Sequence, residues 1–188
     1  DRPHILFCKA TGRFVCWIKI MEKDGTQDYT ILSAAQLLGP YKLEKEHFRP
    51  FGFSGGDFDL AQENGEACIF FEKVHSEMIC ARLTPDHLDV EEGVHFLERP
   101  HPPFVREAPA HFARENTHYL ITSGTTGYFP NPSLLCTAKQ LFAAYTEAGD
   151  PHSGDLSHTS FRSQISSVFR IPGQNVWIAL ADRWLPDC

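Results

Sequence analysis

Four segments of the chain repeat one pattern: an apolar run, a short polar turn, and a longer alternating apolar run. The first runs from Ile5 to Cys8, turns at Ala10-Thr11-Gly12-Arg13 and continues from Phe14 to Ile20. The second is Phe58-Asp59-Leu60, a turn at Glu63-Asn64-Gly65-Glu66, and Ala67 to Phe71. The third is Ala110 to Ala113, a turn at Arg114-Glu115-Asn116-Thr117, and His118 to Thr122. The fourth is Ser167 to Ile171, a turn at Pro172-Gly173-Gln174-Asn175, and Val176 to Leu180. Turn chemistry and strand composition make each a β-hairpin.

Starting positions near 5, 58, 110 and 167 give a period of about fifty residues, the spacing of propeller blades. Further strand candidates follow the first two hairpins: Tyr29 to Leu32 and Lys42 to Lys45, then Met78 to Leu83 and Val94 to Leu97. That makes about four strands per unit. The expected fold is all-β, a β-propeller of four-stranded blades with about three and a half blades present. It forms a single domain over residues 1–188, cut at both ends. Helical signal is weak. Lys139 to Glu147 has a partly helical composition, but Thr137 to Leu141 reads equally as a strand followed by a loop, and Gly149 to His158 reads as a long connection.

Composition narrows the partners. The 188-residue chain carries 17 basic and 24 acidic residues, a formal net charge of -7, which argues against a nucleic-acid partner. No apolar run approaches the length of a membrane-crossing helix, so no membrane partner is expected. The six cysteines have no Cys-x-x-Cys spacing and are expected as buried free thiols; Cys68 and Cys80, in adjacent strands, could pair only in an exported protein. The sequence leaves oligomeric state open.

In a propeller the start of each innermost strand faces the central funnel, so residues just ahead of the hairpins converge although far apart in sequence. Here they are Asp1, Asp57, Glu107 and Gln164. Glu107, in Phe104-Val105-Arg106-Glu107-Ala108-Pro109, is expected at a strand entrance. Its apolar neighbours should raise its pKa and Arg106 should lower it. Such a carboxyl can donate a proton, and a second carboxylate nearby would help keep it protonated, as acid-catalysed hydrolysis of a sugar requires. The competing readings are a surface Glu paired with Arg106, and an Asx-turn at Asp57 in Gly55-Gly56-Asp57-Phe58.

Phe104 to Pro109, the run Tyr119 to Gly127 with Pro130-Asn131-Pro132, and Asp182-Arg183-Trp184 together resemble glycoside hydrolase family 43. The resemblance covers essentially the whole chain and is strongest to the branch containing exo-acting galactan 1,3-β-galactosidases. It implies a five-bladed propeller that hydrolyses glycosidic bonds of plant-type polysaccharides or oligosaccharides with inversion. It further implies Glu107 as general acid, Asp57 as the group that raises and orients it, and Gln164 as the holder of the attacking water. An amide cannot take up the proton, so Gln164 positions water rather than acting as a base. Asp1 and Glu98 match substrate-contacting acidic positions, and Gly56 stands where the family commonly has Arg.

Tyr128, with Phe129, is expected either to face the sugar or to pack between blades; Trp184 is a further substrate-contact candidate, while Trp17 and Trp177 read as core. His75, His111 and His118 lack metal-ligand spacing, so no metal is assigned. No cofactor is required, although the resemblance allows a Ca²⁺ in the central channel. The expected partner is an oligosaccharide or polysaccharide. An exo-β-galactosidase is favoured over a β-xylosidase or α-L-arabinofuranosidase, with a non-catalytic carbohydrate-binding propeller as the rival from another class. A kelch-like interaction propeller would repeat Gly-Gly and paired aromatic signatures in every blade, which the sequence does not do.

Overall fold

The computed structural model describes residues 3–185, so Asp1 lies outside the described residues. The first sheet contains β1 (His4–Cys8), β2 (Arg13–Met21), β3 (Gln27–Ala34) and β4 (Lys42–Phe48). The second contains β5 (Gly55–Glu63), β6 (Glu66–Lys73), β7 (Glu77–Leu83) and β8 (Val90–Phe96). The third contains β9 (Arg106–Arg114), β10 (Thr117–Gly124), β11 (Leu134–Ala138) and β12 (Thr146–Gly149), and β13 (Ser163–Arg170) pairs with β14 (Trp177–Arg183). Each sheet is an antiparallel meander in chain order. The repeat is thus a set of blades. The segment of helical composition after β11 forms turns leading into β12, because Leu141 and Tyr145 are drawn into the core between sheets.

Strand alternation builds that core. The middle sheet is covered on both sides, so β6 and β7 are buried along most of their length while their side chains point alternately to two neighbours. Ile69, Phe71, Ile79 and Ala81 pack with Trp17, Tyr29 and Ile31 of the first sheet. Cys68, Phe70, Met78 and Cys80 pack with Leu120, Cys136, Leu141 and Tyr145 of the third. Truncating a ring such as Phe70 or Phe71 should cost roughly 3–5 kcal/mol. Cys8, Cys16, Cys68, Cys80 and Cys136 are buried free thiols, as expected.

The first strands of successive sheets lie side by side: β5 against β1 and β9, and β9 against β13. Their beginnings share one departure from regular pairing. The register shifts between Gly55 and Phe58 on β5, opposite Ile121–Ser123 on β9, and between Ile165 and Ser167 on β13. Such bulges re-aim side chains where a ladder would otherwise fix them. On β9 the irregularity includes Ala108, at φ 49°, and Pro109, which has no N–H to give the ladder. Asp57, Glu107 and Gln164 therefore lie inside β5, β9 and β13, next to bulges, rather than ahead of them. Asp57 is a strand residue, not part of an Asx-turn.

Candidate active site

The three bulged strand entries open on one cavity of about 520 Å³, with Asp57, Glu107 and Gln164 in its wall. Two glycines make the β5 wall possible. A Cβ on Gly55 would come within 2.6 Å of the Tyr29 ring, and one on Gly56 would collide with Glu72 Oε2. Tyr29, fully buried, donates its hydroxyl to the Gly56 carbonyl at 2.8 Å and fixes this stretch. Asp57 then projects beside Lys19 of β2, whose Nζ donates to Asp57 Oδ1 at 2.5 Å.

Glu107, half-buried, shares this cavity wall. Burial first, then the carboxylates of Asp57 and Glu72, push it up to about 8, against the opposing pull of His75 and Lys19. Near neutral pH its protonated form dominates. Arg106 opposes this less than His75 and Lys19 do, because adjacent residues of a strand face opposite ways. Its guanidinium turns from the cavity and donates to the Thr122 hydroxyl, the Thr122 carbonyl and the Pro132 carbonyl. Burial lowers Arg106 itself to about 10.

Arg106 has a structural task instead. It ties the end of β10 to the Pro130-Asn131-Pro132 loop, and Asn131 completes the tie by accepting from the Gly124 N–H at 2.7 Å and donating to the Gly124 carbonyl at 3.0 Å. This holds Ser123, whose Oγ accepts from the Gln164 amide at 2.7 Å. The same amide nitrogen reaches Glu107 Oε1 at 3.4 Å. The ties at Thr122, Gly124 and Asn131 thus act on the site through backbone and Ser123.

Of the aromatic candidates, Tyr128 and Trp184 stand together in the cavity wall, ring centroids 6.0 Å apart at 77°. Tyr128 is 80% exposed, so it is a mouth residue rather than packing between blades. Trp17 is core, as expected, and Trp177 is half-buried against Phe112. Glu98 is exposed, after β8, and is not among the residues lining the cavity. The wall also contains Lys19, Glu72, His75 and Asp182, none of which the sequence reading placed there. Asp182 had a usable signal: it stands in the Asp182-Arg183-Trp184 motif and pairs with Gln164 across β13 and β14.

Among the described residues, one group of His and carboxylate side chains has ligand atoms close enough for a metal: Glu22, Asp28 and His47, within 4.8 Å of one another. It lies at the ends of β2, β3 and β4, outside the cavity lining. His47 Nδ1 sits 3.1 Å from Glu22 and 3.3 Å from Asp28, and its pKa is raised, chiefly by Asp28. A protonated imidazole fits that position without a metal. No comparable group lines the cavity among the described residues, and no role is assigned to calcium.

No family model and no curated protein sequence matches the chain. Solved structures do. One family 43 β-1,3-galactosidase superposes with a TM-score of 0.83 at 23% identity, covering 99% of this chain and 40% of its own. A second, holding galactodeoxynojirimycin, gives 0.84 at 21% identity, with 99% and 68% covered. An exo-β-1,3-galactanase from Phanerochaete chrysosporium with β-1,3-galactotriose gives 0.81 at 20% identity, with 99% and 42% covered. The chain therefore has the blade architecture of family 43 glycoside hydrolases and spans between 40% and 68% of the length of these three.

Proposed function

We propose that this chain carries the acid half of an inverting glycoside hydrolase site, acting on a terminal β-galactoside of a 1,3-linked galactan or related oligosaccharide. The observation that carries the reading is Glu107: a carboxyl in a cavity wall, held near 8 by burial and two neighbouring carboxylates. The galactanase fold, and the galactodeoxynojirimycin and β-1,3-galactotriose held by its structural neighbours, favour this sugar over xylose and arabinose.

Glu107 gives its proton to the glycosidic oxygen as the bond to the anomeric carbon breaks, and water adds from the opposite face of the ring. The attacking water gives its proton to bulk water, since Gln164 cannot take it up, and bulk water returns one to Glu107 before the next turnover. Asp57, ion-paired to Lys19, supplies negative charge that keeps Glu107 protonated until substrate arrives. Gln164 contributes geometry. With its nitrogen committed to Ser123 and Glu107, its carbonyl oxygen accepts from the attacking water. Inverting enzymes separate acid and opposing group by roughly 6.5–9.5 Å. The 3.4 Å contact makes Gln164 a neighbour of the acid, so the water beyond its carbonyl must supply that separation. Tyr128 and Trp184 offer ring faces to the apolar side of the sugar.

The test is hydrolysis by the full-length protein of aryl glycosides and β-1,3-galacto-oligosaccharides, with the anomer released followed by proton NMR. Release of α-galactose supports the reading. Sugar binding without turnover would replace it by a carbohydrate-binding propeller.

A further inference from the structure

Glu72 takes no direct part in the reaction above, yet it lines the cavity and is only 2% exposed. A carboxylate so placed is costly unless something satisfies it. His75, in the turn between β6 and β7, does so: its Nδ1 lies 2.7 Å from Glu72 Oε1. The other oxygen occupies the space that any side chain at position 56 would need. Glycine at 56 and the Tyr29 bond beneath it therefore build a seat for this carboxylate.

The seat faces the acid. Charged side chains reach the same cavity from every surrounding element: Lys19 from β2, Asp57 from β5, Glu107 from β9 and Asp182 from β14, while Gln164 of β13 is neutral. Lys19 is engaged by Asp57. His75 brings a cation that, unlike Lys19, can be gained and lost near neutral pH. Its ring is held by one nitrogen and its side chain is 46% exposed.

We propose that Glu72 and His75 are a positioning pair for the acid: Glu72, seated against Gly56, holds His75 in the cavity wall, and the charge on His75 governs how readily Glu107 releases its proton. The influence runs both ways. The Glu72 bond foremost, and then the Glu107 and Asp57 charges, favour protonated His75, while protonated His75 favours ionised Glu107. Below the His75 midpoint Glu107 is the stronger acid; as His75 loses its proton, Glu107 holds its own more tightly. Only the consequence for turnover rests on the hydrolytic reading.

Two readouts separate the pair from that reading. In NMR titrations of the full-length protein, the His75 ring should titrate above an unconstrained histidine and fall in Glu72→Gln and, by a smaller step, in Asp57→Asn. In the pH dependence of kcat/KM, His75→Gln should carry the alkaline limb upward, with about a threefold gain in relative rate on its far side. His75→Lys, which retains the charge, should not. An unmoved His75 midpoint in Glu72→Gln, or an unmoved limb in His75→Gln, overturns the proposal. A protein without hydrolytic activity removes the reading of function and leaves the NMR titration to decide the pair.

Discussion

Lys19 Nζ lies 2.5 Å from Asp57 Oδ1 on the cavity wall that Glu107 shares. The pair ties the second strand of one blade to the first strand of the next, and fixes one of the negative charges acting on the acid. Asp57→Asn removes that charge and should lower the Glu107 pKa. The proposed mechanism needs Glu107 protonated, so the alkaline limb of kcat/KM should move down from about 8. A limb that stays or rises counts against the coupling.

Replacing the acid separates chemistry from folding. Glu107→Gln keeps the shape and removes the proton donor, so turnover of substrates with poor leaving groups should fall by roughly 10²–10⁴. Aryl glycosides with good leaving groups should lose much less. Equal losses on both would point to a binding role.

The same substitution should stabilise the protein at high pH. Glu107 has a folded-state pKa raised to about 8, well above its unfolded value. Its favourable contribution is therefore complete below the unfolded pKa and is lost as pH rises through the folded one. Glu107→Gln should melt above the parent at pH 9, with the difference shrinking toward pH 5, and should be worth at most a few kcal/mol. Parallel melting curves across that range would contradict the buried, protonated acid.

Ser123 gives a test away from the reacting groups. Ser123→Ala leaves the Gln164 amide without its 2.7 Å partner, a loss of about 1 kcal/mol of positioning. kcat should fall about fivefold with little change in KM.

Gly56→Ala tests the packing of the wall. The added methyl meets Glu72 Oε2, so the carboxylate must leave its buried seat; about 1–3 kcal/mol of stability should go with it, read from denaturant unfolding. A neutral substitution would show that the wall is looser than the geometry indicates.

The blade pattern was legible because each hairpin carries its own turn signal and each strand its own alternation. The convergence of Asp57, Glu107 and Gln164 was legible because they recur at the same point of the repeat. Lys19, Glu72 and His75 were not, because each looks like an ordinary polar residue in or beside a strand. Only the pairing of β6 with β5 and the packing of β2 against β5 bring them to the cavity. The weakness of the Arg106 effect on Glu107 was not legible because the strand was expected to start after Glu107. Once β9 begins at Arg106, alternation sends Arg106 and Glu107 to opposite faces. The stretch after Ala138 stayed open between a helix and a strand followed by a loop, because apolar spacing alone does not separate a helix from a loop whose side chains are pulled into a neighbouring blade; the structure gives the strand and loop.

The most direct test of the central claim is the titration of the Glu107 carboxyl, followed by carbon NMR with Glu107→Gln to assign the signal. A midpoint near 8 is the predicted result. A midpoint in the ordinary glutamate range, near ~4.3, would mean that Glu107 is ionised at neutral pH and cannot be the acid of this site.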